Sequence, residues 1–416
     1  MLRTAGRAIA QCWPLLLTFF LAGWLGHEAL IRLAGWAGNY VSLLGLLILP
    51  LAVLVKLASY VGMFLAVRPA LTHYERLERL ARTEPATAET TPARRSFAAQ
   101  WGSTVLSGLV PFLVIYMAWG MIGDDVLAYG RAAYDQSYAE GATDQPLTVT
   151  LGVMSVTFIV VAFALRFVLG RLSKRLPAWT GAISAYLEAA WLITAAIAIG
   201  DLLTGVPEWF ASRRMFAWLV DGIAALREQL SWFAFLGDAF TWLLGAVGDV
   251  LLQPLAWLAL AAIVYAGALA RRRREPSGRT AHLRAAAARR WRRMPRPVRV
   301  LGQSVSSSFR ERWEPIATAL SLIWRNGPLQ LGAYLLAFAV VVGGTQWLYR
   351  VVYVALGGHE NSWWMGINPL IILIVSAISL PLQIVVVAAA FDTSLSRLDQ
   401  QVVNEDEELA ELLPEP

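Results

Sequence analysis

The chain has 416 residues, 57% of them hydrophobic and 15% charged, against about a quarter charged in soluble domains. Its net charge of +6 comes with an almost purely Arg-based set of cations, and one cysteine, Cys12, excludes an internal disulfide. This composition argues against a soluble enzyme and for a chain whose solvent is lipid.

A spanning helix needs roughly 20 mostly apolar residues. Apolar stretches at about 9–25, 39–67, 101–122, 149–170, 180–203, 251–270, 328–350 and 367–391 meet that need. Backbone amides in lipid must be paired within their own segment, so helices are expected. A transmembrane barrel would show alternation at period two, and runs such as Leu43 to Val55 and Ile371 to Ile378 show none. The expected fold class is all-α: a polytopic integral membrane protein with about eight transmembrane helices arranged as four hairpins.

In chain order, residues 1–70 form transmembrane hairpin one. Arg3 and Arg7 before an apolar run resemble a signal peptide, but Gly26-His27-Glu28 follows where small residues at a cleavage site would stand. An uncleaved first span is expected. Gln11 before Cys12 is not the small residue of a lipoprotein site. Residues 71–96 read as a cytoplasmic linker, flexible where Thr, Pro, Ala and Glu cluster from Thr83 to Ala93. Residues 97–176 form hairpin two, and residues 177–275 form hairpin three with an outer amphipathic segment at 204–250. There Met215, Leu219, Ile223, Leu226 and Leu230 make an apolar helical stripe, and 231–250 is expected to be interfacial or re-entrant. Residues 276–312 are a basic cytoplasmic loop, 313–398 hairpin four and 399–416 an acidic cytoplasmic tail.

The ends of hairpins one and four share Gly-His-Glu exits (Gly26 to Glu28, Gly358 to Glu360) and later Leu-Pro-Leu triplets at Pro50 and Pro381. Duplication and chance in apolar sequence both explain such short matches.

Lys and Arg fix the orientation. They concentrate at Arg3 and Arg7, in 68–100, at Arg171, Lys174 and Arg175, and in 271–312, with Arg397 in the tail. These intervals fall on one side of an eight-span path, so both termini are expected in the cytoplasm. A single span within 231–270 keeps Arg271 to Arg274 on that side.

Ionisable groups within spans are costly and call for a partner or a function. Lys56, one of the two lysines, sits mid-span, and Glu188 lies at a similar depth on span five. Together they are expected to form an intramembrane ion pair, read either as a proton or ion relay or as a structural pair that fixes helix register. Arg166 is expected to snorkel to the inner interface. His27, Glu28, Asp124, Asp125, Asp201, His359 and Glu360 form an outer polar set, each just after a glycine at the far end of a hairpin's first helix. Imidazoles with carboxylates can bind a divalent cation; the plainer reading is a helix stop, with glycine capping and a polar residue meeting water.

The loop residues Arg271, Arg272, Arg273, Arg274, Arg289, Arg290, Arg292 and Arg293 suit anionic lipid headgroups or a partner protein, and nucleic acid is not expected. The acidic tail (Glu405 to Glu408, Glu411 and Glu415) would dock on that loop, meet a basic partner, or simply be solvated. No P-loop, Gly-x-Ser-x-Gly elbow, Cys cluster or GxxxG pair occurs. No catalytic residue, metal or cofactor is therefore expected. The leading expectation is a non-enzymatic subunit of a bacterial cytoplasmic-membrane assembly, acting in transport or as an envelope scaffold. The alternatives are a stand-alone proton- or ion-coupled carrier using Lys56 and Glu188, and a membrane-embedded lipid or glycan enzyme using outer carboxylates such as Asp124 and Asp125.

Overall fold

With no water in hydrocarbon to satisfy amides, an apolar stretch closes its hydrogen bonds on itself, and in the computed structural model these stretches are helices. The structure describes residues 1–83, 112–113, 116–117, 120–139, 153–172, 180–211, 218, 231–248, 251, 253–270 and 328–412. Among them ten α-helices occur: α1 (Leu2–Tyr40), α2 (Ser42–Val67), α3 (Thr72–Thr83), α4 (Met121–Ala139), α5 (Val153–Leu172), α6 (Thr180–Ala211), α7 (Ser231–Val247), α8 (Gln253–Ala270), α9 (Pro328–Leu356) and α10 (Asn361–Leu412). Six described helical segments are long and apolar enough to cross a membrane: Leu2–Tyr40, Leu43–Ala70, Ser155–Leu172, Thr180–Gly200, Pro328–Leu356 and Asn361–Ser396.

Several expected boundaries move. The glycines read as helix stops at 26, 123 and 200 lie inside α1, α4 and α6. A glycine inside a helix costs only about 1 kcal/mol relative to alanine, and at Gly26 close packing offsets it, because a Cβ there would press on Val55. A true stop does occur after α9: Gly357 adopts φ +77° and its N–H bonds the Tyr353 carbonyl at 3.2 Å. The first part of the expected linker is α3, not loose chain, while most of Thr83 to Ala93 lies outside the described residues. Helix α10 continues through the expected start of the tail to Leu412. The amphipathic stripe from Met215 to Leu230 lies outside the described residues; α7, just after it, is a single 17-residue helix.

The chain divides into two compact units. One comprises Met1–Leu21, Tyr60–Pro111 and Pro254–Pro416. Here α10 packs on α9 and on α3. Its core is aromatic: the Tyr265 ring of α8 meets Phe64 edge-on and Tyr74 and Phe391 at a tilt, at ring-centroid distances of 6.0, 5.2 and 5.3 Å. Its polar atoms tie helices through main-chain carbonyls, with Tyr265 donating to Phe64 (2.8 Å), Tyr334 to Pro254 (2.6 Å) and Arg7 to Ala70 (2.8 Å). Arg68 pairs with Glu78 and lies over the Tyr74 ring. The fully buried Asp392 of α10 accepts the Tyr74 N–H at 2.9 Å, filling one of the amide vacancies in the first turn of α3.

The other unit comprises Ala22–Ser59 and Phe112–Gln253. In it α5 packs along α6, and α4 touches α6. The α1 and α2 segments lie antiparallel, with Gly23 against Ser59 and Gly26 against Val55. Helix α4 approaches α1 so closely that a Cβ at Gly35 would lie 2.8 Å from the backbone of Ala132 and Ala133, and Asn39 donates to the Ala133 carbonyl at 3.1 Å. Pro50 removes the amide that would serve the Leu46 carbonyl; next to it, the Leu47 carbonyl accepts the Tyr186 hydroxyl at 2.6 Å.

Candidate functional site: a buried charge cluster

Four ionisable or phenolic side chains meet where α1, α2 and the start of α4 come together. Asp125, at the fifth position of α4, has a side chain only 5% exposed. A bare carboxylate there would lack the solvation it has in water, a loss of several kcal/mol for an uncompensated charge. Three donors surround it. Tyr116 donates to Oδ2 at 2.5 Å, His27 Nε2 contacts Oδ1 at 3.1 Å, and Lys56 Nζ reaches Oδ1 at 3.4 Å. Lys56 also donates to the Tyr116 hydroxyl at 2.9 Å and lies 5.3 Å from the centre of its ring. A carboxylate only accepts, so with Asp125 ionised Nε2 of His27 carries the hydrogen in this contact.

The charges balance. Lys56 supplies one positive charge and Asp125 one negative, with His27 and Tyr116 neutral in that state. Burial is uneven: Tyr116 is fully enclosed and Asp125 nearly so, while His27 and Lys56 are 14% and 28% exposed. The cluster therefore has two edges that reach its surroundings and a sealed centre. Each link is a hydrogen bond between ionisable or phenolic groups, so adding or removing one proton would change the net charge of the whole set.

The expected pairing of Lys56 with Glu188 is replaced by two separate contacts. Lys56 binds Tyr116 and Asp125, and Glu188 of α6 takes the Arg166 guanidinium of α5 at 2.9 Å. Arg166 is thus held by a carboxylate on the neighbouring helix and does not simply snorkel. The physical reason is reach: α5 and α6 pack side by side and bring positions 22 residues apart into contact.

The outer polar set is also partly redistributed. His27 and Asp125 join the buried cluster. Glu28 makes an exposed i,i+4 pair with Arg32 at 2.8 Å. Asp124 is exposed in the first turn of α4, where the helix dipole favours a negative charge. Asp201 lies within α6, and its side chain is outside the described set. His359 stacks on Trp363 with centroids 4.0 Å apart, and the Glu360 carbonyl receives the N–H groups of Trp363 and Trp364 at 3.1 and 3.2 Å. Among the described residues no group of three or more His, Cys, Asp or Glu side chains is placed to hold a metal ion. Arg271 to Arg274, Arg289, Arg290, Arg292 and Arg293 lie outside the described residues.

Tyr116 is the member that sequence reasoning missed. A tyrosine in an apolar stretch normally serves packing, and nothing beside it in the chain marks it as different. The only available signal was a phenol on the same expected span as the Asp124–Asp125 exit.

No protein family, no curated protein and no solved structure matches this chain. The class follows from the helices themselves: six long apolar segments, with charged groups inside them held by partners, make this a multi-pass helical membrane protein.

Proposed function

We propose that the chain is a transport protein of a bacterial cytoplasmic membrane that moves protons through the Lys56–Asp125–Tyr116–His27 cluster. In this reading it crosses the bilayer eight times as four hairpins, with both termini and the Arg271–Arg299 loop in the cytoplasm. The observation that carries the proposal is a titratable carboxylate sealed at the centre of a hydrogen-bonded set whose two outer members, His27 and Lys56, remain partly exposed. A pair needed only for helix register requires two groups. Here four groups form a path, with the His27 imidazole at one partly exposed edge and the Lys56 ammonium at the other. A proton accepted by His27 passes to Asp125. Neutralised Asp125 no longer holds Lys56 as an ion pair, so the ammonium releases a proton at its exposed edge, and the Asp125 proton then crosses their 3.4 Å contact to the Lys56 amine and restores the starting state.

The test is proton flux. Proteoliposomes carrying the protein, an interior pH dye and an imposed potassium diffusion potential should acidify or alkalise faster than empty vesicles. Asp125→Asn keeps the shape and removes the titrating group, and should cut the flux by about tenfold or more, the scale on which proton-transfer groups contribute. Glu188→Gln, outside the path, should leave it intact. Flux equal to that of empty vesicles, or unchanged in folded Asp125→Asn protein, would reject the proposal.

A second reading is a subunit or scaffold of a membrane assembly, favoured by helix length. At ~1.5 Å per residue the 39 residues of α1 and the 52 of α10 extend well past a hydrocarbon core of about 30 Å. Such extensions offer surfaces for protein partners, and the arginine-dense loop offers one for anionic lipid. Co-purification in mild detergent of a stoichiometric membrane or cytoplasmic partner would favour this reading; a lone protein with proton flux would favour the first.

A further inference from the structure

The turn between α9 and α10 carries a second site of different chemistry. Tyr353, Asn361, Trp364, Met365 and Asn368 line a shallow, open surface groove of about 350 Å³. The groove has a built floor. Tyr353 donates to Asn368 Oδ1 at 2.5 Å, which fixes the amide and turns its NH₂ away from the phenol. Tyr353 and Trp364 meet at a centroid distance of 5.4 Å, and Trp364 is braced edge-on by Trp363 at 5.0 Å. Among the described residues, Asn368 Nδ2 and Asn361 Oδ1 have no hydrogen-bond partner, and Asn361 Nδ2 meets only the weak Met365 sulfur acceptor at 3.9 Å. Two amides therefore offer a free donor and a free acceptor beside a rigid aromatic face.

We propose that this groove binds a neutral saccharide. None of the lining side chains is ionisable near neutral pH, so the groove has no strong handle for a phosphate, carboxylate or ammonium ligand. Aromatic face plus free amide suits a sugar ring, whose C–H face lies on an indole and whose hydroxyls both donate and accept. A quaternary ammonium would need ring faces on several sides, but Trp363 already has its face covered by His359 at 4.0 Å. Position agrees: the groove lies at the end of α9 opposite Pro328, the side that the arginine bias assigns to the exterior, where exposed sugars and glycolipid headgroups occur. The adjacent Trp pair also places the groove at headgroup depth. The inference is independent of the proton path.

The experiment uses the full chain in nanodiscs of phosphatidylglycerol and phosphatidylethanolamine. One arm titrates free maltose and reads saturation-transfer NMR. The other adds a diglucosyl diacylglycerol to the nanodiscs and reads lipid retention by native mass spectrometry. Signal in the first arm marks a free saccharide as ligand, and signal in the second alone marks a glycolipid headgroup. Trp364→Leu and Asn368→Leu should each weaken binding by about tenfold, the factor one lost interaction of ordinary strength gives. Trp347→Leu, an exposed tryptophan elsewhere on α9, should not. No saturable signal in either arm, or binding that survives both groove substitutions, would overturn the proposal. So would a choline headgroup that displaces the sugar.

Discussion

At the scale of single residues, the polar groups inside apolar helices mostly act as ties. Tyr265, Tyr334 and Tyr186 each spend their hydroxyl on a main-chain carbonyl of another segment, a bond worth about 1 kcal/mol net. Asp392 has more at stake, because it serves a helix-end amide that has no partner within α3. Asp392→Ala removes the side-chain acceptor of the Tyr74 N–H, so stability should fall by about 0.5–1.5 kcal/mol, read as a lower thermal midpoint in detergent. Asp392→Asn keeps an acceptor oxygen and should lose less; an equal loss for both would mean that charge, not the bond to α3, is what the position supplies. Residues of this kind also mark the limit of sequence reading. Lys56 was legible as a site because a cation within an apolar run is expensive. Its partner was not, because Glu188 was expected at the depth of Lys56 and Asp125 only at an outer helix exit, and three-dimensional packing alone chooses between them.

At the scale of elements, small residues set how closely helices approach. The sequence holds no GxxxG pair, and that absence hid a related device. Gly23 with Gly26 and Gly35 with Gly38, each three apart on α1, face side chains of α2 or the backbone and Tyr129 ring of α4. Gly35 is the most demanding position, because its neighbour is backbone, which cannot rotate away. Gly35→Ala should push α4 off α1 and destabilise by about 1–3 kcal/mol, the usual cost of overpacking. Because Asp125 rides on α4, the same variant should also weaken proton flux. Gly123→Ala, where a Cβ meets nothing within 4 Å among the described residues, should change neither. Equal thermal midpoints for the two variants would contradict the close approach. The apolar lengths that announce helices were fully legible. Their ends were not, since a glycine that stops one helix, as Gly357 does at φ +77°, elsewhere lets two helices touch.

At the scale of the whole molecule, the proposed orientation rests jointly on charge asymmetry and span number. Two positions test this without depending on the total count. Ser277 lies in the arginine-dense stretch just past α8, and His359 lies in the turn between α9 and α10, 29 helical residues of α9 beyond Pro328. One apolar helix of that length covers about 43 Å at ~1.5 Å per residue, more than the hydrocarbon thickness of about 30 Å, so the proposed topology puts its two ends in opposite compartments. With Cys12 replaced by alanine, Ser277→Cys in intact cells should resist an impermeant maleimide and react only after the membrane is opened. His359→Cys should react in intact cells. The reverse pattern would invert the orientation and move the saccharide groove to the cytoplasmic face. Reaction of both from outside would mean that α9 does not cross the bilayer.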